Sequence, residues 1–133
     1  MLFLWLFGVV VCELCGWRWI LTVFLLTTIG GSIGQLLLDP ESPIPGLGAS
    51  GGVMGLEGFY FGLAFLHPRP NSHVWPLARP VNSTQLAAAG VVGVGLDFLG
   101  LMGPASNVGH GAHIGGFVTG MLLSTLANRF IPR

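Results

Sequence analysis

Lysine is missing from this sequence, and charge of either sign is scarce: five arginines and five acidic residues make up 8% of 133 residues and leave no net charge. The arginines are scattered singly, so no basic track is available to a nucleic acid, and nucleic-acid binding is excluded. Cysteine occurs twice, at Cys12 and Cys15, as one CxxC that supplies only half of a four-ligand zinc site. A structural or incidental role is expected for the pair. The leading MLFLWLFGVVV has neither a basic n-region nor a small-residue cleavage site, so it does not read as a signal peptide. A collagen period and Ser-rich linkers are absent as well.

What is abundant is apolar. Hydrophobic residues are 52% of the chain, and a mean hydropathy of +0.78 exceeds what a soluble domain of this size covers with polar surface, which places the chain in a bilayer. The 22 glycines read as packing material for membrane helices, where small residues let backbones approach. Stretches long enough to span occur at 19–38, 46–66, 84–102 and 109–127, each near the roughly 20 residues a membrane helix needs. Proline-rich or polar segments separate them: DPESPIP at 39–45, HPRPNSHVWPLARPVNS at 67–83 and GPASN at 103–107. The stretch 1–11 is a partial span, because eleven helical residues rise only about 16 Å against a hydrocarbon core of about 30 Å. It is either re-entrant or the remainder of a helix whose earlier residues precede Met1.

If the leading stretch counts as a helix, loops alternate sides. Arg18, Arg69, Arg79, Arg129 and Arg133 then share one side, while Asp39 and Glu41 take the other. Five arginines would agree by chance about one time in sixteen, and the positive-inside rule makes their side cytoplasmic. The loops after Leu38 and Met102 then face outward.

Ionisable groups within the spans are functional candidates because they are costly there: Glu57, Asp97, His110 and His113. Ser50 joins them, lying among glycines in GLGASGGVMG. Its hydroxyl reads either as a nucleophile or as a helix-packing group, and His113 in GHGAHIGGFVTG either as a base or as a satisfied structural imidazole. Depth links the two, since each is four residues into its span from the outer side. A serine hydroxyl becomes nucleophilic when an adjacent neutral imidazole takes its proton. Asp97, about fourteen residues into its span, reads as deeper than His113, so no third residue is evident to orient the ring and the arrangement reads as a dyad. Glu57, one helical face with Ser50 but about 10 Å deeper, is expected to hydrogen-bond a neighbouring helix. His110 is expected to serve as a cap or to contact water.

GxSGxxxG (Gly48, Ser50, Gly51, Gly55) and AHxGGxxxG (Ala112, His113, Gly115, Gly116, Gly120), with GLDFLG before the last loop and MLFLWLFG at the start, resemble the signatures of rhomboid proteases in order and spacing across nearly the whole chain. The resemblance implies an all-α, multi-pass transmembrane helical bundle over residues 1–133, holding the second half of helix two and helices three to six of a six-helix core. It implies an intramembrane serine endopeptidase in which Ser50 attacks the peptide carbonyl, His113 acts as base and then acid, and the Ser50 backbone N–H helps hold the oxyanion. Gly48, Gly51, Gly55, Gly116 and Gly120 would pack the helices at the site. No metal and no cofactor are implied, and the partners are the lipid bilayer and the transmembrane segments of other proteins.

The expected location is the plasma or inner membrane with the arginine-bearing loops and C-terminus cytoplasmic. In the family, helix two opens with a His-x-x-x-Asn element that adds oxyanion donors just before the stretch matching MLFLW. A chain lacking one such donor is expected to be slower by about a hundred- to a thousand-fold. Met54 stands where many rhomboids have an aromatic residue against the imidazole. The alternative reading is a catalytically inactive rhomboid-like scaffold that binds transmembrane clients. A proton-coupled carrier ranks below both, because the chain has no internal repeat.

Overall fold

The computed structural model describes residues 2–41, 49–66, 72–73, 80–81, 83–104, 108–127 and 129. Among these residues five α-helices carry the fold: α1 (Leu2–Cys15), α2 (Trp17–Leu38), α3 (Ser50–Leu66), α4 (Ser83–Met102) and α5 (His110–Ala127). A two-residue antiparallel pairing, β1 (Ser72–His73) with β2 (Pro80–Val81), sits in the segment between α3 and α4 and leaves the expected all-helical class unchanged. The leading helix runs 14 residues, about 21 Å at 1.5 Å per residue. It stops at Gly16, whose φ of 90° and ψ of 161° suit only a residue without a Cβ and swing the chain into α2.

The centre of the bundle is α3, which touches all four other helices, and α5 lies in a groove between α2 and α3 with α4 beside it. Where α5 meets its neighbours the contact is backbone on backbone. A methyl group placed on Gly34 of α2 would stand 2.6 Å from the Cα of Gly115 and 2.7 Å from the carbonyl oxygen of Gly111. One placed on Gly116 would collide with the carbonyl oxygen of Gly51 in α3, and one on Gly120 with that of Gly55. Such closeness raises dispersion contact and costs no side-chain entropy, which is how helices associate when surrounding lipid supplies no hydrophobic drive.

The opposite end of the bundle is packed by side chains. Phe7, Val10 and Val11 of α1, Val23 of α2, Leu56, Phe59, Tyr60 and Leu63 of α3 and Ala127 of α5 form one buried cluster. The Trp19 ring stacks on Phe59 at 5.8 Å. Buried hydroxyls are satisfied within their own helices: Thr27 donates to the carbonyl of Val23 at 2.7 Å and Ser124 to that of Met121 at 2.6 Å.

The outward faces are apolar. Leu21, Leu25, Ile29, Ile33 and Leu36 of α2, Val91, Val92, Leu96 and Leu99 of α4, and Val118, Leu122 and Leu126 of α5 are all exposed. Apolar exposure on this scale marks a surface made for something other than water. Among the described residues one helix, α2, is long and apolar enough on its own to cross a membrane, while α1 and residues 88–102 of α4 are shorter apolar helices.

The Gly116→Ala substitution is expected to destabilise the bundle by about 1–3 kcal/mol through overpacking against α3. Denaturant titration of the protein in micelles measures it, with Gly95→Ala, where an added methyl meets nothing within 4 Å, as the matched control.

Candidate active site

The ends of four helices converge at one end of the bundle: the last turn of α2, the first turns of α3 and α5, and the last turns of α4. Ser50 is the first residue of α3 and is exposed. The carbonyl of Ala49 accepts from Val53 N at 2.9 Å, which makes Ala49 the cap. The N–H groups of Ser50, Gly51 and Gly52 are therefore first-turn donors without an intrahelical acceptor, at the positive end of the helix dipole. A methyl on Gly51 would lie 3.1 Å from the carbonyl oxygen of Ala112 and 3.4 Å from the Cα of Gly31, so the first turn of α3 is wedged between α2 and the residue preceding His113. Gly48 lies outside the described residues.

His113 is on the first turn of α5, with its backbone N–H donating to Gly109 at 3.1 Å. Its Nδ1 is 2.8 Å from Asp97 Oδ1, and the Nδ1 of His110 is also 2.8 Å from that same oxygen. A carboxylate only accepts, so each Nδ1 carries the hydrogen, and in the neutral ring the lone pair of His113 is on Nε2. The two rings meet edge-on, 6.3 Å between centroids at 83°.

Three expectations from the sequence do not hold in the structure. Asp97 is not too deep to orient His113: α4 runs toward the site end while α5 runs away from it. Fourteen residues into the span is thus only about one and a half turns from Met102, level with the start of α5. His110, expected to cap or contact water, shares the carboxylate with His113. Glu57 also departs from expectation. It is 1% exposed, and neither carboxyl oxygen finds a hydrogen-bond partner among the described residues. A methyl on Gly90 of α4 would stand 2.9 Å from its Oε1 and one on Gly93 3.6 Å from it, so the side chain fills the gap those glycines leave.

One residue at the site was missed altogether. Gln35, 7% exposed near the end of α2, accepts through Oε1 from the backbone N–H of Ala112 at 3.0 Å, and its Nε2 donates to Asp39 Oδ2 at 3.3 Å. It caps α5 from a different helix, one residue before His113. The signal was available as an amide inside an apolar span, and a survey restricted to ionisable groups passes over it.

Together these features define a helical bundle with apolar outer faces, an exposed serine on first-turn amides that have no intrahelical acceptor, and an imidazole oriented by a carboxylate on the adjoining helix. The family model for the Rhomboid domain matches residues 1–130, and the chain belongs to the rhomboid family. Its members are integral membrane proteins and generally serine-type intramembrane proteases. No curated protein and no solved structure matches the chain.

Replacing Gln35 with Leu leaves the Ala112 N–H without an acceptor, and is expected to cost about 1–3 kcal/mol and to accelerate hydrogen exchange at the first turn of α5, read by mass spectrometry. Glu57→Met, of similar volume and with no polar atoms to desolvate, is expected to raise unfolding free energy by about 1–3 kcal/mol in the same micelle titration.

Proposed function

We propose that this chain is a multi-pass intramembrane serine endopeptidase that cleaves transmembrane segments of other membrane proteins, with Ser50 as nucleophile, His113 as general base and acid, and Asp97 as the group that orients His113. The observation that carries the reading is the 2.8 Å contact between His113 Nδ1 and Asp97 Oδ1. It fixes the tautomer in which Nε2 can accept a proton, on a turn whose neighbour Ala112 abuts Gly51.

In the proposed reaction the Ser50 Oγ attacks the scissile carbonyl carbon as its proton passes to His113 Nε2. The oxyanion forms beside the first-turn amides of α3, the Ser50 N–H among them, where unpaired donors and the helix dipole favour negative charge. Collapse of the tetrahedral species breaks the C–N bond, and His113 returns the proton to the leaving amine. Water then attacks the acyl group on Ser50 with His113 again as base, releasing the new carboxyl terminus and restoring the serine. The apolar outer faces of α2, α4 and α5 suit hydrocarbon on both the lipid and the substrate side. Substrate helices must unwind locally to present the bond, since an intact helix keeps its carbonyls engaged.

The test is reconstitution of the chain in lipid vesicles with a labelled transmembrane substrate, alongside labelling by a fluorophosphonate probe that reports an activated serine. Ser50→Ala and His113→Ala are each expected to lower cleavage by about 10⁴-fold or more and to abolish labelling, while Asp97→Asn lowers it by up to about 10⁴-fold with substrate affinity retained. Equal cleavage by parent and Ser50→Ala would overturn the assignment. Substrate binding with no cleavage or labelling by the parent would mark a client-binding scaffold instead.

A further inference from the structure

We propose that Asp97, His110 and His113 form an inhibitory site for a borderline divalent transition-metal ion of the zinc type. The inference rests on the assignment of His113 as base, since it describes regulation of that same site.

The three side chains each offer one ligand atom, and these atoms lie within 4.8 Å of one another. His110 and His113 are three residues apart on the first turn of α5, which puts both imidazoles on one face, and both Nδ1 atoms converge on Asp97 of α4 at 2.8 Å. The place of the His110 ring is built into the fold. Position 100 of α4 is glycine, and a methyl there would collide with the imidazole carbon and nitrogens. Side-chain exposures of 16% and 18% for the histidines and 11% for the aspartate leave the cluster screened but reachable.

Two imidazoles and a carboxylate, with a fourth position open to water, are a donor set that zinc-type ions accept, whereas magnesium and calcium require mostly oxygen. Metal–ligand distances of about 2.0–2.2 Å set tetrahedral donors roughly 3.3 Å apart. Exchanging the two hydrogen bonds for a shared ion therefore opens each by about half an ångström, within reach of side-chain rotation.

The chemistry of that exchange gives the consequence. Without metal, each neutral ring holds its hydrogen on Nδ1 and donates it to Asp97. When Nδ1 gives its lone pair to a metal ion, its N–H bond breaks and an N–H bond forms at Nε2 through exchange with water, so each ring keeps one proton and nothing is oxidised or reduced. Water leaves the ion as the three ligands enter. The Nε2 of His113 then carries a hydrogen and no lone pair, and it no longer accepts the proton of Ser50. His110 is the residue that makes the site a metal site rather than an oriented base.

The test uses the full chain in lipid nanodiscs in a Cys12→Ser/Cys15→Ser background, which removes thiolate ligands, titrated with Co²⁺ and followed by visible d–d absorption, with Zn²⁺ as competitor. One saturable equivalent per chain is expected, displaced by Zn²⁺ and weakened at least about tenfold in His110→Ala. The same is expected in His110→Asn, which keeps a hydrogen-bond donor toward Asp97 if the alanine variant misfolds. Zn²⁺ is expected to suppress fluorophosphonate labelling of Ser50 in the parent, and at least about tenfold more Zn²⁺ to be needed in the His110 variants, each scaled to its own metal-free rate. No saturable Co²⁺ band, unchanged binding in both variants, or labelling indifferent to Zn²⁺ at saturating metal would each overturn the proposal while leaving the peptidase reading intact. A chain that binds Co²⁺ but never labels overturns the inhibitory role together with the assignment of His113.

Discussion

The structure depends on backbone atoms of α5 touching backbone atoms of α2 and α3. Gly34 against Gly111 and Gly115, Gly116 against Gly51, and Gly120 against Gly55 remove the side chains that would otherwise hold the helices apart. With lipid-like faces outside and no gain from hiding apolar surface between helices, contact density is the available source of cohesion. The same closeness has a second effect. It sets the first turn of α3 against the first turn of α5, so the main-chain positions of a serine and a histidine far apart in the sequence are fixed relative to one another, and Asp97 then sets the orientation of the ring.

Much of this was legible. The glycine spacing around Ser50 and His113, read with their order along the chain, pointed to the rhomboid family that the match over residues 1–130 establishes, and the hydropathy pattern pointed to helices. Length and apolarity marked the stretch that became α2, among the described residues the one helix suited by itself to cross a membrane. Less visible was the helix that α1 continues beyond Val11 to Cys15 before Gly16 turns the chain. Hydropathy falls at Cys12–Glu13, whereas the backbone ends its helix where a positive φ is needed.

The site was half legible, and the missing half has a geometric cause. Depth counted from the start of a segment misplaces Asp97, because consecutive helices run in opposite directions and the end of α4 meets the beginning of α5. Gln35 escaped notice because an amide carries no charge to flag it, yet it does for α5 what an N-terminal capping side chain normally does from within the helix. Glu57 misled in the other direction. A carboxyl in an apolar span predicts a partner, and the space beside Gly90 and Gly93 holds the group without one among the described residues.

The glycine at position 100 has a consequence for descent. Because the His110 ring occupies the volume that any side chain at position 100 would fill, the two positions are not free to vary independently. A lineage that acquires a larger residue at 100 must move the imidazole at 110 away from its place beside Asp97, and one that keeps the imidazole in that place must keep the glycine. The pair on α4 and α5 should thus behave as a single inherited character, present or lost together among related chains.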